Sequence, residues 1–263
     1  MERSIVGRLT LIALMVGAVG GAIVVRAALE SAAQSARFVI GVEDLDYFPL
    51  WSVKGGRYDG AAREILDAFA TSQGYAFEYR PLAVTRLHTT FLEGGVDFKF
   101  PDHPNWRADL KKGKAVVYSA PVIAFIDGAM TTPERKGKGI GAVKTLGSVT
   151  GFSPWVWMDD IQKGSVQVRE NADVAALIRQ TQLGRVDAAY VNVAVANYHL
   201  DQVLKQPGAL VFDPSLPHNR DTYFLSTLKH GAAIEAFNRW LQASKASVEA
   251  IKRRHQAEKG VTR

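Results

Sequence analysis

The chain contains no cysteine, and this absence excludes thiol catalysis, cysteine-ligated zinc and disulfide stabilisation. The sequence also lacks the serine-hydrolase elbow, the Walker phosphate loop, the glycine fingerprint of dinucleotide binding and the HExxH helix of metalloproteases. Its 263 residues are 47% hydrophobic and 22% charged, which excludes a disordered chain and allows one large domain or two small ones. We therefore expect a globular protein whose stability rests on core burial.

The first 36 residues have the layout of an export signal. Arg3 and Arg8 precede an uncharged apolar run at 9–25, which is followed by Arg26 and a stretch of small residues. The run is slightly long for a signal core and short for a membrane span of about 20 residues. We predict a signal peptide over 1–36 that directs the protein to the periplasm. An uncleaved membrane anchor and a buried core helix are the alternatives.

The net charge of +6 is modest for a chain of this length. Its densest cluster, Lys252, Arg253 and Arg254, lies in a segment with helical apolar spacing and has no interleaved aromatic residues. Such a cluster is typical of a solvated helix face rather than of a nucleic-acid surface. We therefore expect no nucleic-acid partner.

Short apolar runs alternate with amphipathic segments from residue 37 onward, which predicts an α/β fold. The first series has the order β-α-β-α-β, with strands at RFVIGVE, YAFEYRPL and VDFKF and helices at AAREILDAFATSQG and RLHTTFLEGG. A second series of similar order follows AVVYSAPVIAF, and the chain closes on helical segments. The sequence thus predicts two units of similar construction.

Segments along the chain resemble, in the same order, those of the periplasmic solute-binding proteins of family 3, which serve amino-acid importers. The resemblance is carried by DLDYFP, YDGAAREILDAFATSQG, LEGGVD, NWRADLKKGKAVVYSAP, GAVKTLGS, LGRVDAAYVN and SVEAIKRRH. It implies a two-lobed periplasmic-binding-protein type II fold, with a ligand cleft between lobes joined by two crossover strands. On this template one lobe comprises 37–122 plus 213–263, and the other comprises 123–212.

The resemblance also implies cationic binding residues in the first lobe. Arg107 matches the family's carboxylate-binding arginine, because it follows Asp97 and precedes the segment SAP. A guanidinium offers a carboxylate two parallel hydrogen bonds, which lysine cannot do. A surface arginine is the alternative. Arg86 is a second candidate, and it would otherwise cap a neighbouring element.

An aromatic loop is expected to cover the ligand. Tyr47 matches the ring that the family places against the apolar part of its ligand. Phe48 or Trp51 could take this role instead, and all three could pack beneath the loop. Asp44 either faces the cleft or caps the turn.

In the second lobe, the resemblance implies that a glycine-containing turn meets the ligand with its backbone amides and hydroxyls. This predicted turn follows a strand and contains Lys144, Thr145, Gly147 and Ser148. An ordinary turn without a binding role is the alternative.

Asn192 departs from the family pattern. Amino-acid binders of this type place an acidic residue there for the ammonium of the ligand, and a neutral amide cannot supply that charge. Asp44 or Asp102 could restore such a partner. The inferred cleft is otherwise surrounded by cations, namely Arg86, Lys99, Arg107 and Lys144. We therefore expect a ligand with a carboxylate or another anionic group.

These residues favour a non-enzymatic receptor that captures a small polar ligand, an amino acid or a related compound, for an ABC-type importer. We expect a monomer without a cofactor, with a membrane permease as partner. His88 and His103 come from separate elements and have no visible third ligand, so no metal site is predicted. One alternative is a dehydratase of the same fold, with Glu43 or His103 as general acid. The other is a membrane-anchored sensory or accessory binding protein.

Overall fold

A computed structural model describes residues 36–261, so the predicted signal peptide lies almost wholly outside the described residues. The strands are β1 (Arg37–Glu43), β2 (Asp46–Tyr47), β3 (Trp51–Lys54), β4 (Arg57–Asp59), β5 (Ala76–Leu82), β6 (Phe98–Asp102), β7 (Val117–Tyr118), β8 (Ile123–Thr131), β9 (Thr145–Val149), β10 (Gln167–Asn171), β11 (Ala188–Asn192), β12 (Val211–Phe212) and β13 (Asn219–Thr227).

The helices alternate with these strands. They are α1 (Ala61–Gln73), α2 (Val84–Leu92), α3 (Ala108–Lys111), α4 (Met158–Gln162), α5 (Val174–Gln182), α6 (Val193–Tyr198), α7 (Gly231–Ala243) and α8 (Lys245–His255). A π-helical turn, His199–Val203, extends α6.

The main sheet is mixed and has the strand order β10-β9-β11-β8-β13-β6-β1-β5. At one end, β1 pairs in parallel with β5 and β6, and at the other end β9 pairs in parallel with β10 and β11. A separate antiparallel sheet, β2-β3-β4, follows β1. The parallel pairs with helical connections agree with the α/β pattern predicted from the sequence.

Two long antiparallel strands join the two ends of the sheet. β8 and β13 pair with each other from Ile123 and Tyr223 to Asp127 and Asn219. β8 then continues beside β11, and β13 continues beside β6. We call the part around β1, β5 and β6 the first lobe and the part around β9, β10 and β11 the second lobe. The chain crosses from the first lobe on β8 and returns on β13.

Helix α1 shows how local pattern builds the first lobe. Its apolar stripe of Ile65, Leu66 and Phe69 is buried, as the helical spacing predicts. Gly74 ends the helix with φ 66°, a left-handed conformation that glycine adopts without a steric penalty. Phe69 packs edge-on against Phe237 of α7, with ring centroids 4.9 Å apart. This packing places α1 and α7 on the face of β1 that carries Ile40 and Val42, whereas α2 covers the opposite face at Gly41.

Candidate functional site

A cavity lies between the lobes, at the carboxyl end of β1. About 480 Å³ of space between atoms lies in and at the mouth of this cavity, part of it open to solvent, and both lobes and both crossover strands contribute to its wall. Six aromatic side chains form much of the wall: Tyr47, Trp51, Trp106, Phe152, Tyr190 and Tyr223. Rings of this kind provide rigid surface whose faces carry partial negative charge.

The aromatic side chains contact one another across the two lobes. Tyr47 stacks on Trp51 with ring centroids 4.9 Å apart, and Tyr223 meets Trp51 edge-on at 5.3 Å. Phe152 reaches from the second lobe and meets Tyr47 edge-on at 5.4 Å. The ring that the resemblance assigned to ligand contact, Tyr47, therefore lies in the cavity wall.

Two carboxyl groups, those of Glu43 and Asp127, belong to the same wall. Glu43 ends β1 and is 2% exposed, and its Oε2 has no hydrogen-bond partner among residues 36–261. Asp127 lies on β8 and is half-buried, and its Oδ1 is likewise without a partner in the described part of the chain.

The surroundings of these carboxyls disfavour their charged forms. Burial raises the pKa of Glu43 to about 7, although the charge of Lys99 opposes the shift. Burial, helped by the charge of Glu43, raises the pKa of Asp127 to about 8. Both groups therefore hold a proton in a large fraction of molecules near neutral pH.

Asn192 follows Val191 of this wall, and both ends of its side-chain amide are hydrogen-bonded within the protein. Its Oδ1 accepts hydrogen bonds from the backbone N–H groups of Ala194 and Val195 at 2.9 and 3.1 Å, which caps α6. Its Nδ2 donates to the hydroxyl of Tyr223 at 3.0 Å. Asn192 is also the register partner of Asp127 across β11 and β8. An acidic side chain, which Asn192 does not provide, is thus present on the adjacent strand.

Contacts beside the cavity hold the lobes in a closed arrangement. The backbone N–H of Asn192 donates to the hydroxyl of Tyr47 at 3.1 Å. Gly151 lies against the start of α2, where an added Cβ would be 3.2 Å from the Cβ of Val84 and 3.0 Å from the Oγ1 of Thr85. Since the two sides of each contact belong to different lobes, opening the cleft would break them all.

Three charged residues predicted to bind the ligand, Asp44, Arg86 and Arg107, are not among those that line the cavity. Arg107 is half-buried and pairs with Asp109 beside it, at 3.3 and 3.4 Å. Arg86 is exposed on α2, and Asp44 is exposed after β1. The structure does not bring these three side chains together with Tyr47, and their binding roles remain predictions.

The predicted glycine turn of the second lobe is wrong in position. Gly147 and Ser148 lie within the buried strand β9. A Cβ at Gly147 would be 2.5 Å from the Cδ1 of Leu177, so this glycine allows α5 to pack on the sheet. Lys144 is exposed just before the strand. The turn that reaches the cavity comes after β9 and includes Gly151, because the strand begins and ends later in the chain than the sequence pattern indicated.

Lys99 belongs to a buried ionic cluster rather than to the cavity wall. Its Nζ lies 2.9 Å from Oδ1 of Asp102, and Lys111 approaches the same oxygen at 2.8 Å. Ser226 donates to the other carboxylate oxygen at 2.7 Å. Burial alone would raise the pKa of Asp102, but the two lysines bring it down to about 2. Both carboxylate oxygens of Asp102 are therefore already bound by side chains of the protein.

The two candidate histidines are separated. His88 lines the cavity, where burial and the charge of Lys99 lower its pKa to about 3, so it is neutral at physiological pH. His103 pairs instead with Asp221 at 2.9 Å. Within residues 36–261, no three or more histidine, aspartate or glutamate side chains are grouped as a metal site would require.

Sequence reasoning missed Asp127 and gave Glu43 only a conditional catalytic role. The available signal was a single acidic residue inside the apolar run IAFIDGAM, since an unpaired charge is costly inside a strand. No helix in the described part of the chain combines the length and apolar character needed to cross a bilayer.

Comparisons with known proteins identify the fold. No family model and no curated protein sequence matches the chain. Among solved structures, the chain is similar to the histidine-bound substrate-binding protein of an ABC uptake transporter from Streptococcus pneumoniae, with a TM-score of 0.68 and 16% identity over 86% of this chain and 95% of that one.

Two further structures are similar. One is an amino-acid ABC transporter substrate-binding protein from Streptococcus pneumoniae bound to L-arginine, with a TM-score of 0.66 and 19% identity over 88% of this chain and 98% of that one. The other is a histidine kinase sensor domain with similarity to periplasmic binding proteins, with a TM-score of 0.66 and 17% identity over 84% and 96%. The chain therefore has the two-lobed periplasmic-binding-protein type II fold, and the predicted α/β architecture with two crossover strands is confirmed.

Proposed function

We propose that the protein is an exported solute receptor of the family 3 type, which captures one small polar molecule between its lobes and delivers it to an ABC-type importer. The observation that carries this proposal is the cavity between the lobes, which is lined by both lobes and by both crossover strands. A ligand that touches both lobes stabilises the closed state over the open one, and a membrane partner can recognise that difference. The binding proteins among the similar structures support the same function.

In this proposal residues 1–36 direct export, 37–122 and 213–263 form the first lobe, and 123–212 form the second lobe. The protein acts as a monomer, without a cofactor, and its partner is a membrane permease. A dehydratase has less support, because it needs an arginine-bound carboxylate beside a general acid. Glu43 lines the cavity, but no arginine among residues 36–261 does so.

A thermal-shift screen of the purified full chain tests this function. The library contains amino acids, amines, dicarboxylates and sugars. A ligand at 100 times its Kd should raise the midpoint of unfolding by roughly 5–10 °C. The same compound should lower the radius of gyration measured by small-angle X-ray scattering, because it closes the lobes. A library in which no compound changes either quantity contradicts a solute receptor.

A further inference from the structure

We propose that the ligand is an organic cation, an ammonium or guanidinium compound without a carboxylate, bound by Glu43 and Asp127 inside the aromatic wall. This inference rests on the proposed receptor function and names the chemical class of its solute. It differs from the anionic ligand that the sequence predicts.

The first argument for a cationic ligand is the charge of the side chains that line the cavity. Glu43 and Asp127 are carboxyls, and no lysine or arginine of the described chain lines the cavity with them. The nearest buried cation, Lys99, donates to the carbonyl of Pro101 at 2.8 Å and to Asp102 at 2.9 Å. A carboxylate ligand would be a negative group without a cationic partner, which is costly in a buried site. A cationic ligand instead pairs with the two carboxyls once they lose their protons.

The second argument is that several buried polar atoms of the cavity wall have no hydrogen-bond partner among residues 36–261. Oε2 of Glu43 and Oδ1 of Asp127 are acceptors for which residues 36–261 supply no donor. Ammonium and guanidinium groups bring several N–H donors and no acceptor, which matches two carboxylates. Trp51 and Tyr190, 1% and 3% exposed, also have a polar atom without a partner among the described residues. These neutral groups can meet a hydroxyl or carbonyl oxygen of the same compound.

The third argument is that aromatic side chains line the cavity. The face of an aromatic ring attracts a cation, and the attraction grows when water is excluded. Tyr47 and Trp51 approach the cavity from the first lobe, and Phe152 and Tyr190 approach it from the second. The protein already uses this interaction beside the site, where Nζ of Lys99 lies 5.5 Å from the ring centroid of Trp106. The wall therefore suits an alkylated or planar cation as well as a primary amine.

The two carboxyls also differ in their place in the fold. Glu43 ends a strand of the first lobe, whereas Asp127 lies on a crossover strand and pairs with β11 of the second lobe. A cation that touches both carboxyls therefore brings the lobes together. This geometry couples recognition of positive charge to closure.

Binding should also release protons. Lys99 and Asp102 act on Glu43, and Glu43 acts on Asp127. The other titratable groups near the two carboxyls are Tyr47, Tyr58, His88, Tyr190 and Tyr223. Lys99 is the cation among these groups, and it pairs with Asp102. Both carboxyls therefore gain protons in the empty cavity and lose them to a bound cation, so affinity should rise between about pH 6 and pH 8.5.

Calorimetry on the full chain at pH 8 tests the inference with three pairs of probes. Both members of each pair carry a cationic group, and only the second member carries a carboxylate. They are 1,4-diaminobutane with ornithine, agmatine with L-arginine, and choline with glycine betaine. At least one amine should bind, and its carboxylate-bearing counterpart should bind at least tenfold more weakly. Titration in buffers of different ionisation enthalpy should then show proton release on binding.

Matched variants test the two carboxyls. Glu43→Gln and Asp127→Asn should each weaken binding of that amine by at least tenfold without lowering the midpoint of thermal unfolding. Glu235→Gln, on the exposed face of α7, serves as the control and should bind like the parent. Unchanged affinity in both cavity variants overturns the assigned roles.

The outcomes of these experiments distinguish failure of the cationic ligand from failure of the receptor function. Tighter binding of the carboxylate member in every pair that binds, or no binding of any of the six probes, overturns the cationic ligand. If another compound of the wider library still binds and closes the lobes, the receptor function stands without this inference. If no compound binds, both proposals fall.

Discussion

Glu43 and Asp127 make the empty cavity sensitive to pH at the scale of single residues. Their pKa values, about 7 and about 8 in the folded protein, lie above those of ordinary carboxyls. The folded chain therefore binds these protons more tightly than the unfolded chain does. The resulting stabilisation is fully present below about pH 4, and it is lost as pH rises through the folded-state pKa values.

We expect the free energy of unfolding of the unliganded protein to fall by on the order of a few kcal/mol between pH 4 and pH 9. The double variant Glu43→Gln/Asp127→Asn should lose much of this slope, because its amides do not titrate. Urea denaturation at a series of pH values measures the effect. Parallel curves for parent and double variant would show that these carboxyls are not the cause.

At the scale of elements, the turn after β9 decides how closely the lobes approach. Gly151 has φ 85° and faces Val84 and Thr85 at the start of α2. Gly164, after α4, has φ 70°, and no described atom lies within 4 Å of an added Cβ there. The two glycines share a backbone conformation but differ in what lies opposite, which makes them a matched pair.

Gly151→Ala and Gly164→Ala should each lower the free energy of unfolding by about 1–2 kcal/mol, since a side chain is strained in the left-handed conformation. Only Gly151→Ala should also weaken the ligand found by screening, by about tenfold, because its methyl group opposes closure. Denaturation and calorimetry on both variants check this. Equal affinity losses, or none in Gly151→Ala, would contradict the role of this turn.

Elements also show where sequence reasoning succeeds and fails. Helix α1 was predictable, because its apolar stripe and its terminating Gly74 are local features. The position of Gly147 was misjudged, because glycine is typical of turns and its use here depends on Leu177 of another element. Close packing between a helix and a strand leaves no distinct local pattern.

At the scale of the whole molecule, closure and the charge of the cavity are linked. In the open state of the proposed receptor, Glu43 and Asp127 would return to water, where their charged forms are favoured. Rising pH should therefore shift the empty protein toward the open state. A cationic ligand should reverse that shift.

We expect the radius of gyration of the unliganded protein, measured by small-angle X-ray scattering, to be larger at pH 9 than at pH 5. The double variant Glu43→Gln/Asp127→Asn should keep a similar value at both pH values, because it has no charge to bury at these positions. A radius that does not change with pH in the parent would separate closure from the state of these carboxyls.

The sequence by itself determined the α/β class and the succession of strands and helices, because hydrophobic spacing and helix termini depend on near neighbours. Tyr47, which the family resemblance assigns to ligand contact, lines the cavity, and its role in binding stays a prediction. The tertiary structure alone decided which charges face the ligand. Arg107 pairs with Asp109, and Lys99 pairs with Asp102 in the core, whereas Asp127 reaches the cavity on a crossover strand. The reason is that a buried charge takes its partner from strands that are adjacent in space and distant in sequence.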